Sequence, residues 1–494
     1  MTHTSRISFI LNGVQHKLAF TDASGPSPFM SLLNYLRTYH GLISVKEGCG
    51  VGDCGACTVV LSRPGADGIM TFKAVNACLM LLPMIHGYHV ITVEHLSENS
   101  ILHPLQEAYI SHHASQCGFC TPGLIMSSLP LYKQRRVLQD KELRLHLAGN
   151  LCRCTGYQPI LAAVQDVLSD IRPDRMDEEA AYIKTLLGPV LQDKETMEFH
   201  AAGSMYTKVF DAGSALSWKA AHPQAHILAG ATDLTLSSKK KQTGRREMLD
   251  ITDVAEWKNI EITAAGIEIG ALVNLEDILH QLDNQHPALC NILRQFASVQ
   301  IRNLATLGGN IAHASPIADS LPVLMASRAR VRLMDKSSQR ILDLEDFITG
   351  YQQTAIREDE ILTHILLPPG QSDGTFVRSY KVSRRPDVDI STVTGGFLLR
   401  LDRQEVAEIL LFFGGMAAKV SRAKQTEAFL IGKPWTEASI RQAMDILHQE
   451  FQPISDVRAL AGTRRILAAN LLLKFYLELT PSTQATQSET RHDD

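Results

Sequence analysis

The stretch GCGVGDCGACTVVL, residues 48–61, constrains the fold of this chain more than any other feature. Three cysteines lie within nine residues, and glycines at positions 48, 50, 52 and 55 are interspersed with them. The spacing C-x4-C-x2-C, with a further cysteine downstream, is that of plant-type [2Fe-2S] ferredoxins. Glycine lets a backbone fold closely around an inorganic cluster and turn its N–H groups toward sulfur. The spacing therefore predicts a [2Fe-2S] site with four ligands: Cys49, Cys54, Cys57 and Cys78.

A structural zinc site is the alternative for these thiols. Zinc sites usually take two short ligand pairs, whereas here three ligands crowd into one loop. The N-terminus, MTHTSRISFILNGVQHKLAF, lacks the basic, apolar and small-residue regions of a secretory signal. We therefore expect a cytoplasmic protein, in which thiols stay reduced and clustered cysteines bind metal rather than form disulfides.

A second group of cysteines occurs in SQCGFCTPG and GNLCRCTGY. It consists of a C-x2-C pair and a C-x-C pair: Cys117, Cys120, Cys152 and Cys154. Only Arg153 separates the last two, which is closer than the two to four residues of a zinc knuckle. Thr121 and Pro122 are typical of a helix start, and Gly149 of a helix end. The pattern predicts a four-helix domain holding one cluster at its end, whereas the ninth cysteine, Cys290, is predicted to be inert and buried.

The remaining patterns divide the chain into segments. RISFILNGVQHKLAF alternates apolar and polar residues around Asn12-Gly13, a strong hairpin signal, and SPFMSLLNYLRTYHG is a helix pattern that Gly41 ends. We predict an α+β multidomain chain with a β-grasp ferredoxin domain at 1–85, a four-helix domain at 86–168 and a charged linker at 169–194. The tail 481–494 has almost no apolar residues and is predicted to be disordered.

Charge and hydropathy exclude two classes of partner. Lys plus Arg total 48 against 52 for Asp plus Glu, a net charge of −4, so no basic face for nucleic acid is expected. No apolar run approaches the roughly 20 residues that span a bilayer, so no membrane association is expected. Two glycine-rich turns, in AHILAGATDLTL and ATLGGNIAHASPIADSLP, match neither a Rossmann nor a P-loop motif. On composition alone each is a structural turn or a ligand site.

These motifs together resemble one known family. GCGVGDCGACTVVL, SQCGFCTPGLIMS and GNLCRCTGYQPI are similar to the two cluster motifs of the molybdenum hydroxylases, the xanthine dehydrogenase and aldehyde oxidase family. LAGATDL, SVQIRNLATLGGNIAHASPIADSLP, YKVSRRPDVDIS, LLFFGGMAAKVSRAKQTE and DVRALAGTRRILAANLLLKFYLE resemble its flavin domain and C-terminal extension. The resemblance implies an α+β FAD-binding domain at 195–372 and an α/β C-terminal flavoprotein extension at 373–480.

The resemblance also assigns cofactor ligands by position. It makes the group from Cys49 to Cys78 the ligands of the cluster nearer the flavin, and the group from Cys117 to Cys154 those of the cluster nearer molybdenum. The implied FAD-binding residues are Ile227, Leu228, Ala229, Gly230, Ala231, Thr232, Asp233, Leu234, Thr306, Gly309, Asn310, Ser315, Asp319, Phe347, Asp389 and Lys424. Among these, the resemblance puts Phe347 against the isoalloxazine ring.

The function implied is that of an iron–sulfur/FAD oxidoreductase subunit. A molybdopterin-binding partner subunit, in an α2β2 or similar hetero-oligomer, oxidises hypoxanthine and xanthine to urate, and its electrons pass through two [2Fe-2S] clusters to FAD and then NAD. No general acid or base is then expected in this chain. Another N-heterocycle or an aldehyde fits as substrate as well, because substrate contacts lie on the partner. A zinc-stabilised scaffold protein is the alternative from a different class.

Overall fold

The computed structural model describes residues 6–20, 25–201, 203–236, 247–369 and 374–480. The tail predicted to be disordered, 481–494, lies outside the described residues, as does the predicted boundary between 372 and 373. Within the described ranges, no helix has both the length and the apolar character needed to cross a membrane.

The first domain is a five-stranded sheet with one helix packed on it. Its strands are β1 (Arg6–Leu11), β2 (Val14–Ala19), β3 (Thr58–Pro64), β4 (Met70–Asn76) and β5 (His89–Ile91), in the spatial order β2-β1-β5-β3-β4. Asn12 and Gly13 form the two-residue loop between β1 and β2, with φ of 49° and 81°, as a type I′ hairpin turn requires. The helix Leu32–His40 ends at a left-handed Gly41. This is the predicted β-grasp arrangement.

Four helices form the second domain. They are Pro104–Ser111, Thr121–Lys133, Asp140–Leu147 and Gln158–Ser169, and the 3₁₀ turn Val93–His95 precedes them, whereas the 3₁₀ turn Leu82–Ile85 lies between β4 and β5 of the first domain. One fully buried leucine or isoleucine from each helix, Leu105, Leu124, Leu143 and Ile160, contributes to a shared core. Pro130 lies inside its helix without ending it. The four-helix prediction is confirmed.

The segment predicted as a linker contains the 18-residue helix Arg175–Gln192. Asp174 caps its N-terminus by accepting the N–H of Asp177, and Lys133 of the four-helix domain donates to Asp174 at 2.7 Å. Farther along, Ile183 and Leu187 pack against the first domain. The charged residues of the predicted linker therefore cap a helix and pair with the four-helix domain, and the same helix packs against the first domain.

The third domain contains two larger sheets and a two-stranded ribbon. Its strands are β6 (Met197–Ala201), β7 (Ser204–Lys208), β8 (His226–Leu228), β9 (Glu247–Asp250), β10 (Ile260–Thr263), β11 (Gly266–Gly270), β12 (Arg330–Met334), β13 (Gln339–Asp343), β14 (Ile348–Gly350), β15 (Gln353–Thr354) and β16 (Ile361–Leu367). One sheet has the order β6-β7-β9-β8, with β7, β9 and β8 parallel, and the other has the order β10-β11-β16-β12-β13. The ribbon is formed by β14 and β15. Its helical segments are Ala212–Ala221, Ala255–Trp257, Leu275–Leu282, Pro287–Arg294, Val299–Arg302, Leu307–His313, Ser320–Ala326 and Leu344–Phe347.

The C-terminal domain is an antiparallel sheet covered by helices. The strands β17 (Thr375–Val382), β18 (Val393–Asp402), β19 (Glu405–Gly414) and β20 (Ser421–Arg422) pair in sequence order. The helices are Lys424–Leu430, Glu437–Glu450 and Ala461–Leu479. Phe397, Phe413 and Phe475 are fully buried in its core and join the sheet to the last helix. The chain is thus the α+β multidomain protein predicted.

Candidate functional site

The first cysteine group lies on the loop before β3 and at the end of β4. Cys57 and Cys78 are buried, at 2% and 1% exposure, whereas Cys49 and Cys54 are half-buried. The backbone N–H groups of Val51 and Asp53 donate to the Sγ of Cys49 at 3.4 and 3.3 Å. Such donors stabilise a thiolate, which is the form that binds metal. A Cβ on residue 48 would lie 2.8 Å from the Sγ of Cys54, so glycine there leaves the thiols room.

The second cysteine group lies at the ends of two helices. Cys117 and Cys120 precede the helix Thr121–Lys133, and Cys152 and Cys154 precede the helix Gln158–Ser169. Cys117 and Cys154 are exposed, with their Sγ atoms 3.7 Å apart. Cys152 is buried, and its N–H donates to the hydroxyl of Tyr157 at 2.8 Å. This group therefore reaches the protein surface, unlike the first.

In both groups the thiols are arranged in hydrogen-bonded pairs. The pairs are Cys49 with Cys54, Cys57 with Cys78, Cys117 with Cys154 and Cys120 with Cys152. Within the first pair, donation by the Cys54 thiol lowers the pKa of Cys49 and raises that of Cys54. Among the described residues, no three donor side chains converge on one metal ion. Two pairs per group fit the two irons of a [2Fe-2S] core, whereas structural zinc needs four ligands around one ion.

The two cysteine loops contact each other through their backbones. The N–H of Leu151 donates to the carbonyl of Cys54 at 3.0 Å. One residue away on each loop, the Nδ2 of Asn150 donates to the carbonyl of Gly55 at 3.0 Å. A Cβ on Gly123 would overlap with that same carbonyl, so the approach of the two loops requires glycine. One hydrogen bond thus joins Cys54 of the first group to Leu151, the residue before Cys152 of the second group.

A cavity of about 330 Å³ lies between the two glycine-rich turns of the third domain. The first turn follows β8, and the second begins the helix Leu307–His313, which Thr306 caps. A Cβ on Gly230 would overlap with the carbonyl of Leu304, so glycine at this position allows the first turn to contact the residues just ahead of the second turn. Ten of the predicted FAD-binding residues line the cavity: Ile227, Ala229, Gly230, Ala231, Thr232, Asp233, Leu234, Thr306, Gly309 and Asn310. The shape and the lining fit a dinucleotide.

The other predicted FAD-binding residues lie outside this lining: Leu228, Ser315, Asp319, Phe347, Asp389 and Lys424. Phe347 is fully buried in the hydrophobic core of the domain, so the structure does not bring it to the cavity. Asp389 accepts the N–H of Arg385 at 2.9 Å. Lys424 is exposed and pairs with Glu345 at 3.8 Å. These residues matched by local sequence alone, which carries no information on where a side chain packs.

Sequence analysis missed one residue of the cavity lining, Phe296, and the partner of a predicted FAD-binding residue, Lys381. Phe296 is the aromatic residue of the cavity lining, and it lies in FASVQIRNLATLGGN, just ahead of the second glycine turn. Lys381 pairs with the buried Asp319 at 2.7 Å. Burial raises the pKa of Asp319, and the ammonium group of Lys381 opposes that rise. The motifs FASVQ and YKVSRR were the available signals for both residues.

One wall of the cavity also contacts the first cysteine loop. Ile301 lines the cavity, and its Cδ1 would lie 2.9 Å from a Cβ on Gly52. On the far side, the hydrogen bond from Leu151 to Cys54 joins the first loop to the second. The first cysteine loop is therefore in contact with the cavity wall on one side and with the second cysteine loop on the other.

Three protein families match successive parts of the chain. The "[2Fe-2S] binding domain" family matches residues 92–165, the "FAD binding domain in molybdopterin dehydrogenase" family matches 198–370, and the "CO dehydrogenase flavoprotein C-terminal domain" family matches 378–479. The chain belongs to the molybdenum hydroxylase family. It carries the [2Fe-2S]-binding and FAD-binding domains of that family, which confirms both cofactor classes predicted from the motifs.

Curated relatives are longer than this chain. Mouse xanthine dehydrogenase/oxidase is 32% identical over 529 residues, which cover 97% of this chain and 39% of the relative. Xanthine dehydrogenase 1 of Arabidopsis thaliana is 31% identical, with 91% of this chain and 38% of the relative covered. The chain thus spans about two fifths of the length of these relatives.

Solved structures resemble a little more than half of the chain. Carbon monoxide dehydrogenase from Hydrogenophaga pseudoflava matches with a TM-score of 0.52 and 25% identity over 55% of this chain and 94% of that one. Quinoline 2-oxidoreductase from Pseudomonas putida 86 matches with a TM-score of 0.52 and 23% identity over 56% of this chain and 96% of that one, a likeness of fold.

Proposed function

We propose that this chain is the iron–sulfur/FAD subunit of a xanthine dehydrogenase. It conducts electrons from a molybdopterin-binding partner, which oxidises hypoxanthine and xanthine to urate, through two [2Fe-2S] clusters to FAD and then NAD. The observation that carries the proposal is the unbroken succession of contacts from the second cysteine group, through the first, to the cavity. The backbone contact of Leu151 with Cys54 and the contact of Gly52 with Ile301 leave no gap in it.

The cysteine ligands follow from the paired thiols. Cys49, Cys54, Cys57 and Cys78 hold the cluster beside the cavity, and Cys117, Cys120, Cys152 and Cys154 hold the second. When bound, the clusters carry single electrons, and FAD joins them to the two-electron acceptor NAD. The N–H groups of Val51 and Asp53 offset negative charge on Cys49, and such hydrogen bonds to sulfur set a cluster's reduction potential.

The partner subunit binds where the second cysteine group reaches the surface. Cys117 and Cys154 are exposed there, and Phe119 and Leu151 beside them are also exposed, at 47% and 46%. Large apolar side chains next to exposed metal ligands favour a surface that another protein covers. The molybdenum centre then faces the second cluster rather than the first.

FAD would occupy the 330 Å³ cavity of the third domain. The turns at 229–234 and 306–310 would hold its phosphates, and Phe296 and Ile301 belong to the apolar part of the lining, where Ile301 also contacts the first cysteine loop. These residues would bind and orient the cofactor.

A second candidate is the same electron-transfer role with a different substrate, another N-heterocycle or an aldehyde. Two observations favour this candidate: the chain spans about two fifths of the length of its xanthine dehydrogenase relatives, and 56% of the chain shares its fold with quinoline 2-oxidoreductase. Contacts to the substrate then come from the molybdopterin partner, so this chain's residues do not discriminate between the two candidates.

Two experiments test the proposal. Analysis of the purified chain is expected to give about four iron atoms with acid-labile sulfide and one FAD, because each [2Fe-2S] cluster takes four cysteines. Zinc without visible absorption would reject both candidates. The chain copurified with its partner is then assayed for xanthine-dependent NAD reduction. Turnover of another heterocycle but not of xanthine would reject the purine assignment alone.

A further inference from the structure

A buried hydrogen-bond network joins both cysteine loops to the FAD-binding domain. The Nε2 of Gln300 donates to the Oγ of Ser127 at 2.8 Å and to the Oδ1 of Asn150 at 2.7 Å. The Nδ2 of Asn150 donates in turn to the carbonyl of Gly55 at 3.0 Å. Gln300, Asn150 and Ser127 are each at most 1% exposed. Side chains from two domains and a backbone carbonyl from a third therefore meet in the protein interior.

The orientation of the network follows from its last acceptor. The carbonyl of Gly55 can only accept, so Asn150 turns its Nδ2 toward it and its Oδ1 toward Gln300. Gln300 must then present its Nε2, since the opposite orientation would face two oxygens against each other. Both N–H groups of that Nε2 are used, one for each partner. The hydroxyl of Thr58 also donates to Gly55, at 2.6 Å.

Each end of the network lies beside a functional group. Gly55 lies between Cys54 and Cys57 of the first cysteine group, and Asn150 is two residues from Cys152 of the second. Gln300 neighbours Ile301, which lines the cavity. A displacement of the Gln300 side chain is therefore transmitted to both loops at once.

We propose that Gln300 is a positioning residue that fixes both cluster-binding loops against the FAD cavity. The inference rests on the proposed function, because it takes the two cysteine groups as cluster sites. The Gln300 amide supplies two donors in a buried site, and buried polar groups that lose their partners are costly. Without it, the Oδ1 of Asn150 keeps only the hydroxyl of Ser127 as a donor, and the loops relax toward other partners.

The test is the variant Gln300→Met, which keeps the length of the side chain and removes both donors. Redox titration of the iron-loaded full-length chain, followed by low-temperature electron paramagnetic resonance, reports each cluster's midpoint potential. The magnetic splitting between the two reduced clusters reports their separation. We expect the potentials of both clusters and the splitting to change together, because one side chain holds both loops.

Asn303→Leu is the matched control. Asn303 follows the same short helix, and its Nδ2 donates to the carbonyl of Ala74 in β4 at 2.8 Å, across the same domain interface but outside the hydrogen-bond network of Gln300. We expect wild-type potentials and splitting from this variant. If Gln300→Met leaves both potentials and the splitting unchanged, or changes them no more than Asn303→Leu does, the inference is wrong.

A milder variant keeps the test decisive if Gln300→Met does not fold. Ser127→Ala removes one hydroxyl from the network and leaves the amides in place, and the same joint change in both clusters is expected, with smaller size. A folded Ser127→Ala protein with two wild-type clusters would then overturn the inference. A wild-type chain without iron and sulfide would instead reject the proposed function.

Discussion

The two cysteine groups present the same number of thiols in opposite ways. The first is a glycine-rich loop inside a β-grasp domain, with Cys57 and Cys78 in the hydrophobic core. The second is assembled from two helix ends, with Cys117 and Cys154 exposed. The first site therefore depends on backbone conformation and on its own core, whereas the second depends on helix packing and on what covers it. Variants in matched positions of the two groups test this difference.

Removing one ligand from each group gives the largest expected effect. Cys78→Ser and Cys154→Ser should each halve the iron content, from about four atoms to about two, because each variant loses one [2Fe-2S] cluster. Only Cys78→Ser also leaves a hydroxyl in the hydrophobic core, which adds about 1–3 kcal/mol of destabilisation. Iron analysis and denaturant unfolding measure the two effects. Equal losses of stability would contradict the comparison, and an intact first cluster in Cys78→Ser would remove Cys78 from the ligands.

Adding a methyl group to a glycine separates backbone conformation from close packing. Gly55 and Gly156 have nearly equal φ, +68° and +67°, so alanine at either position costs about 1–2 kcal/mol in backbone strain. Gly156 has open space around it, whereas a Cβ on Gly55 would overlap with Asn150 and with the carbonyl of Gly149. We expect Gly55→Ala to lose a further 1–3 kcal/mol, roughly the cost of overpacking, and to disturb both clusters. Urea unfolding measures the loss of stability, and electron paramagnetic resonance reports on the clusters. Equal losses of unfolding free energy in the two variants would mean that the two cysteine loops are not closely packed at residue 55.

The helix Arg175–Gln192, which Asp174 caps, is expected to lose stability in acid. Burial alone would raise the pKa of Asp174, but hydrogen bonds from His103 and Lys133 outweigh it and lower that pKa to about 2. The folded pKa lies below the unfolded one, so this stability is present above about pH 4 and is lost as pH falls toward 2. Asp174→Asn should cost about 2 kcal/mol at neutral pH and flatten the acid dependence.

Asp166→Asn is the control for Asp174→Asn. Asp166 pairs with His112 at 3.0 Å on the protein surface, where such pairs contribute only about 0–1 kcal/mol. Chemical unfolding at a series of pH values compares the two variants. An acid dependence in Asp174→Asn as steep as in the wild type would show that other carboxylates determine it.

Local sequence was enough to predict the parts of the site that depend on neighbours along the chain. The hairpin at Asn12-Gly13 and the helix end at Gly41 follow from residues that must adopt positive φ. The thiol spacing likewise predicted which cysteines come together, because three ligands share one loop. Such features require no knowledge of how distant segments pack.

Features that depend on contacts between domains could not be predicted in this way. Gly149 follows the C-cap Ala148 of the helix Asp140–Leu147, as predicted, but its φ is not left-handed, and a Cβ there would overlap with Gln300. Gln300 itself lies in SVQIRNLATLGGN, where no local pattern singles it out. The resemblance named Phe347 and not Phe296, which lines the cavity, because local similarity does not report which face of the domain a ring occupies.

The order of iron loss gives the smallest expected effect, and it tests the comparison without a mutation. A ferrous-iron chelator reaches the second cluster first, because Cys117 and Cys154 are exposed, whereas Cys57 and Cys78 are at most 2% exposed. Electron paramagnetic resonance during chelation should show the second signal decaying ahead of the first. Addition of the molybdopterin partner should slow only the second decay, since the partner covers that surface. Simultaneous loss of both signals would contradict the comparison. It would mean that the two sites open together through the contact between Leu151 and Cys54, despite their different burial.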